Sequence, residues 1–246
     1  RLKLIVTGSG SFDVKVEVGK YLVGRAAYFE LLPLSFEEFL MWKARDLYKL
    51  FADRKKEIVE FVKTGKRPDI SVVFEREFRE LLEEYLLFGG YPAVVKENDR
   101  EMKAELLRNL ARTYLEKDVF FFFDVRHLET FNSFMKYLAV TNGAILNASS
   151  VTRELGMDYK TVRHYLSVLQ HTYVVTRVAP FHRNRATELK KAAKVYFVDT
   201  GLRNSIAGGF APLETRVDRG VLLENFILNE LRALGEVRYW RTTGKA

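Results

Sequence analysis

Two sets of side chains in this sequence have types and spacings that suit chemistry. The first is cationic: Tyr159, Lys160, Arg163 and His164 project outward from one helical stretch, and Arg183, Arg185, Lys190, Lys191 and Lys194 follow in a loop that holds a lone acid, Glu188. Phosphate oxygens complement such a set, because Lys and Arg bring both hydrogen-bond donors and positive charge. From Arg153 to Lys194 there are nine Lys or Arg against three acids, a surplus of +6 within 42 residues, while the whole chain carries +8. That concentration is the footprint of a nucleic-acid partner, although a solvated basic face has the same composition. The second set is acidic. Glu75, Glu77, Glu80, Glu83 and Glu84 fall at the spacing of an exposed helical face, and acid–base work by a pair of them would need a cleft.

Several chemistries are missing. Gly19-Lys20, Gly65-Lys66 and Gly244-Lys245 each lack the earlier glycine and the following Ser or Thr of a phosphate-cradling loop. The four histidines, His127, His164, His171 and His182, form no H-E-x-x-H, and cysteine is absent, which removes disulfides and thiolate metal sites. No nucleophile elbow is present.

The elements that must position the cations lie between Asn147 and Val178. Val151, Leu155, Met157, Val162 and Tyr165 surround Gly156, the pattern of two short helices crossing at a tight turn. Asn147 or Ser149 can cap the first helix and Asp158 the second, which runs to about Leu169; Tyr173 to Val178 alternates as a strand. The unit reads as a winged helix-turn-helix, with Thr152 where a smaller alanine is more usual. Winged helices also serve as protein docking surfaces, so a protein partner or self-association is the alternative.

The rest of the chain is mainly helical. Leu2 to Val6 reads as a buried strand ending in a Thr-Gly-Ser cluster, Asp13 to Val23 as a helix and Ala26 to Leu31 as a short strand. Ser35 and Glu38 form a capping box ahead of Phe36, Phe39, Leu40, Leu47 and Leu50. Helices are expected over Lys55 to Lys63 and Val72 to Phe88, then around Met102, Leu106, Leu110 and Tyr114, and around Phe131 to Leu138. The aromatic run Phe120 to Phe123 is expected to plug a core. Lys194 to Val198 reads as a strand, Asp199 as a cap, and Val221 to Leu231 as a last helix holding Glu224 among apolar neighbours.

With 246 residues, 48% hydrophobic and 29% charged, the chain can build one large or two ordinary cores. No apolar run approaches the roughly 20 residues that span a bilayer, so a soluble, cytoplasmic protein is expected. One glutamine and many Lys, Arg and Glu give a weak thermophile-like composition.

The segments Leu31-Leu-Pro-Leu-Ser-Phe-Glu-Glu-Phe39, Gly89-Gly-Tyr-Pro92, Val195-Tyr-Phe-Val-Asp-Thr-Gly-Leu-Arg-Asn204, Gly220-Val-Leu-Leu-Glu-Asn225 and Tyr239-Trp-Arg-Thr242 occur in that order. Together they resemble the prokaryotic AAA-type ATPases with a C-terminal domain of unknown function. The resemblance implies that the chain is a piece of a longer protein whose phosphate loop and magnesium-binding strand lie upstream. Leu2 to Ser11 would then be the sensor strand, with Thr7 or Ser9 feeling the γ-phosphate and Arg25 facing phosphate. ATP and Mg²⁺ would be cofactors of the intact parent, with none in this chain. Glu224 would be the first acid of a restriction-endonuclease-like end, its partners beyond Ala246; as a simpler alternative it pairs with a nearby Arg.

The expected architecture is mixed and mainly α: an ATPase-core remnant over 1–34, a helical segment over 35–142, a winged helix-turn-helix over 143–180 and the start of a C-terminal α/β domain over 181–246. The expected function is the nucleic-acid-engaging portion of an AAA-type ATPase with DNA as partner. A protein-binding adaptor or part of a metal-dependent nuclease are the alternatives.

Overall fold

A computed structural model describes residues 5, 27, 29–68, 73–113, 127–182 and 192–240. The expectations for Thr7, Ser9, Arg25, Arg183, Arg185 and the aromatic run 120–123 lie outside the described residues. Among those described, the architecture is mainly helical, with ten α-helices, a single 3-10 turn and a two-stranded antiparallel sheet. No helix in this set is long and apolar enough to cross a membrane.

Helix α1 (Phe36–Lys43) starts where the capping box requires: Glu38 N–H donates to Ser35 Oγ at 3.3 Å, and Ser35 N–H to the Glu38 carboxylate at 2.8 Å. Its break falls at Ala44, and α2 (Arg45–Thr64) then runs unbroken to Gly65, a left-handed stop at φ +73°. The expected start near Lys55 is therefore ten residues late, because a turn at φ −150° on Ala44 needs neither Pro nor Gly to signal it. Residues 29–31, expected in a strand, are irregular, with Phe29 and Leu31 open to solvent. Helix α3 (Glu75–Phe88) ends at Gly89, α4 is the short Pro92–Lys96, and α5 spans Arg100–Thr113. On α5 the buried side is Lys103, Ala104, Leu107 and Ala111 rather than the side carrying Met102, which is exposed. The buried Lys103 ammonium is 2.6 Å from Glu84 and lies over the Phe88 ring, so the helix turns a cation inward to meet a carboxylate.

Helix α6 (Leu128–Val140) leads to α7 (Ala148–Leu155), α8 (Tyr159–His171), strands β1 (Val175–Val178) and β2 (Lys194–Phe197), α9 (Thr200–Ala207), the 3-10 turn Leu213–Thr215 and α10 (Arg219–Arg232). The largest apolar core joins α6, α7, α8, the sheet and α9 through Phe131, Phe134, Val162, Leu169, Val195 and Phe197. A second core is aromatic: Phe36 meets Phe51, Tyr85 and Phe226 edge to face at 5.4–5.6 Å.

Helix α9 joins the two halves. Thr200 to Asn204 are all buried, and their polar groups close the ends of other helices. Asn204 Nδ2 donates to the Leu86 and Leu87 carbonyls at 3.0 Å each, Thr200 Oγ1 to the Tyr85 carbonyl at 3.2 Å, and Arg203 Nε to the Ala139 carbonyl at 2.7 Å. The Leu86, Leu87 and Ala139 carbonyls sit in the last turns of α3 and α6, where the helix supplies no N–H of its own, whereas the Tyr85 carbonyl also accepts from Gly89 N–H at 2.7 Å. Arg203 and Arg216 converge on Asp218, whose carboxyl is held down to about 2 chiefly by Arg216 and also by Arg203.

Glycine makes this approach possible. A Cβ on Gly201 would stand 2.1 Å from the Phe88 carbonyl oxygen, a backbone atom. Elsewhere in a helix Gly→Ala stabilises by about 1 kcal/mol. Here Gly201→Ala is expected to reverse that sign and destabilise by about 1–3 kcal/mol, while Gly209→Ala, whose Cβ meets nothing within 4 Å, changes little. Urea unfolding of the two variants beside the parent checks both signs.

Candidate nucleic-acid interface

The cationic set is positioned by a helix pair that builds itself from local signals. Asn147 Oδ1 accepts from Ser149 N–H at 3.0 Å to start α7, and Gly156 ends it at φ +64°. Asp158 Oδ1 then accepts from Lys160 and Thr161 N–H at 2.8 and 3.0 Å, starting α8 two residues later. The Thr161 hydroxyl first, and then these backbone bonds, hold the Asp158 carboxyl below the usual range. Val151, Met157, Val162 and Tyr165 are buried as their spacing requires, and Leu155 is partly so. Tyr165 packs edge-on against Phe131 at 4.9 Å.

The opposite side of α8 faces solvent. Tyr159, Lys160, Arg163 and His164 are exposed, and Arg163 lies over the Tyr159 ring at 5.9 Å. Among the described residues neither Lys160 nor Arg163 is paired with a carboxylate. An exposed guanidinium resting on a ring keeps its donors directed outward and loses little freedom on binding.

A sheet stands behind the pair. β1 and β2 run antiparallel, with Val175 opposite Phe197 and Val178 opposite Lys194. The segment entering α7 adds to β2, with Gly143 N–H donating to the Val195 carbonyl at 2.8 Å and Leu146 N–H to the Ala193 carbonyl at 2.9 Å. On the other side, Pro180 bridges Tyr239 in parallel.

Glu224 is not brought to the cationic face. It accepts from Lys194 Nζ at 2.7 Å and from the Tyr196 hydroxyl at 2.6 Å, while Lys194 is held between the Tyr196 and Tyr239 rings. Burial raises the Glu224 carboxyl, but the Lys194 and Tyr196 bonds outweigh it and the net shift is downward. Its partner is thus a lysine 30 residues before it in the chain rather than a nearby arginine. Among the described residues no group of three or more His, Asp or Glu could hold a metal ion.

One acid is displaced toward neutrality. Burial pushes the Asp199 carboxyl up to about 6, against the pull of the Gly90, Leu202 and Gly201 amides. A shifted carboxyl in a cleft would suggest catalysis. This one is sealed: Oδ2 accepts from Gly90 N–H and Oδ1 from Leu202 N–H, both at 2.7 Å, and a Cβ on Gly89 would fall 2.2 Å from it. It is a cap, as its position before α9 indicated, and its reach to the Gly-Gly loop is a contact that no local spacing announces.

Residues 79–213, more than half the chain, match the model of a domain of unknown function, DUF8612. The chain belongs to this family. The matched stretch carries both the α7–α8 pair and the buried α9 network of the DUF8612 member described above. Residues 1–40 match an AAA domain. An uncharacterized protein of Haemophilus influenzae is 24% identical over 94% of the chain and 51% of its own length. One from Methanocaldococcus jannaschii is 23% identical over 95% of the chain and 48% of its own length. An uncharacterized Mycobacterium tuberculosis protein is 28% identical over 63% of the chain and 36% of its own length. The chain thus spans about half the length of the first two relatives. No solved structure matches it.

The sealed Asp199 predicts a pH dependence of folding. Its folded value of about 6 exceeds the ordinary 3.8, so the folded state keeps a proton that the unfolded chain releases. Its contribution is fully present below pH 4 and is lost as pH rises through about 6, by roughly 2–3 kcal/mol at 1.36 kcal/mol per unit. Asp199→Asn is expected to be less stable at pH 4 yet to lack that decline. Urea midpoints of both proteins from pH 4 to 7.5 decide it.

Proposed function

We propose that this chain is the nucleic-acid-engaging part of a longer AAA-type ATP-binding ATPase, with α7, α8 and the sheet acting as a winged helix-turn-helix that contacts DNA phosphates. In this reading Lys160 and Arg163 bind backbone oxygens, Tyr159 reaches a base edge, and Arg183 and Arg185, which lie between β1 and β2 in the sequence, contact phosphates as well. The order of helix, a single bridge from Ile145 to Lys194, helix pair and antiparallel strands supports it, with the paired strand β2 carrying the unit on to Phe197. The observation that carries it is the outward, unpaired state of Lys160 and Arg163 among the described residues, on a helix whose other side is fully packed.

The AAA match over residues 1–40 and the greater length of the relatives support an ATPase parent. ATP and Mg²⁺ would be bound there, with Thr7, Ser9 and Arg25 sensing nucleotide state. A second reading, a protein adaptor, is favoured by an apolar groove of about 750 Å³ between α2, α3 and α10, with Ile58, Ile227, Leu231 and Leu234 exposed along it.

Fluorescence anisotropy with a labelled duplex tests the DNA reading. Affinity is expected to fall steeply as salt rises, and Lys160→Ala with Arg163→Ala to weaken binding about tenfold or more and reduce the salt slope by about 2. Lys56→Ala with Lys63→Ala, on exposed α2, serves as the charge-matched control. A double variant that binds like its parent removes α8 from the interface.

A further inference from the structure

Two aromatic side chains near the end of the paired strands are left in solvent. Phe181 is 58% exposed and Trp240 77%. They come from segments far apart in sequence that meet as parallel strands: Phe181 N–H donates to the Tyr239 carbonyl at 2.6 Å and Tyr239 N–H to the Ala179 carbonyl at 3.1 Å, with Pro180 opposite Tyr239. Phe181 and Trp240 are the next pair in register. Partners in register on neighbouring strands share a face of the sheet and stand about 4.8 Å apart along the backbone.

Alternation tells which face. Val175 joins the core beneath α8 with Val195 and Phe197, whereas Val178, Tyr196, Val237 and Tyr239 gather on the other face against Leu228 of α10. Residues 177, 179 and 181 therefore follow Val175, and residues 238 and 240 lie on that same side. Phe181 and Trp240 thus share the face of the sheet that α8 covers, beyond the edge of the packed core. Arg177, also exposed, precedes them on that face, and Arg238 stands beside Trp240 with Glu236 as its partner at 2.5 Å.

Single exposed aromatics are ordinary on a surface. Two in adjacent register, with arginine on the same face and a sequence rich in Lys and Arg following His182, form the combination that takes unpaired nucleobases. Every base offers a π face, and the backbone beside it needs cations. We propose that Phe181 and Trp240 form a stacking platform for unpaired bases, so that the preferred ligand is nucleic acid with a single-stranded segment beside a duplex. This rests on the nucleic-acid reading above, and it adds that the sheet reads strand state while α8 holds the duplex.

The chain has two tryptophans, so Trp42→Phe leaves Trp240 as the sole reporter. In that background, blunt duplex and the same duplex with a thymidine overhang of about ten nucleotides are titrated by anisotropy and by tryptophan fluorescence. The overhang is expected to bind at least fivefold tighter and to quench Trp240, while the blunt duplex does not quench it. Phe181→Ala and Trp240→Leu should each reduce the preference without weakening blunt-duplex binding, and Trp240→Phe should retain most of it. Lys160→Ala with Arg163→Ala should weaken both ligands and keep their ratio. Equal binding of the two ligands without quenching overturns the platform and leaves the α8 reading in place; absence of binding to either removes both. If Trp240→Leu instead splits a dimer into monomers in light scattering, the pair is a contact between copies and the platform is wrong.

Discussion

The structure depends on one buried polar element, the short helix α9 and the carboxylate before it. Its side chains supply the donors that the ends of α3 and α6 lack, and its own start is capped by Asp199, which also fastens the Gly-Gly loop after α3. Satisfied in this way, buried polar groups fix a single arrangement, since any sliding of α3 against α6 would strand several of them in an apolar interior at about 1–3 kcal/mol each. Bare carbonyl-to-glycine contact at Gly201 leaves no room for that sliding.

The network also explains why the cationic face is available for binding. Arg203 and Arg216 share Asp218, Lys103 and Lys43 share Glu84, and Lys194 meets Glu224, so these cations are already directed at carboxylates of the chain itself. Lys160 and Arg163 differ because α8 meets the core through Val162, Tyr165, Leu166, Val168 and Leu169, leaving these two side chains outward and without a carboxylate ion-pair partner among the described residues. Charge surplus in the sequence thus overstates the unpaired cations at Lys194, which meets Glu224, and matches them on α8, where Lys160 and Arg163 have no carboxylate partner among the described residues.

What could be read in the sequence was what is decided within a few residues. The capping box at Ser35, the caps at Asn147, Asp158 and Asp199, and the stop at Gly156 all stand where spacing put them. The five apolar positions around Gly156 turn inward because 3.6-residue periodicity fixes their side. The break at Ala44 was hidden, since no Pro, Gly or polar cap marks it. The inward side of α5 was misjudged because a lysine occupies it, and only its tertiary partner Glu84 makes that tolerable. Phe181 and Trp240 carry no joint signal either: their adjacency comes from a parallel pairing across nearly sixty residues of chain.

The sheet holds both ends of the segment that joins β1 to β2. On one side Pro180 is tied to Tyr239, and on the other the Tyr239 hydroxyl donates to the Ala192 carbonyl while Lys194 is clamped by Glu224. With its ends fixed independently of its contents, the length of that segment becomes nearly free thermodynamically: doubling it would cost only about 0.6 kcal/mol of closure entropy. An insertion between Arg183 and Lys191 would therefore leave undisturbed the body that holds the two ends.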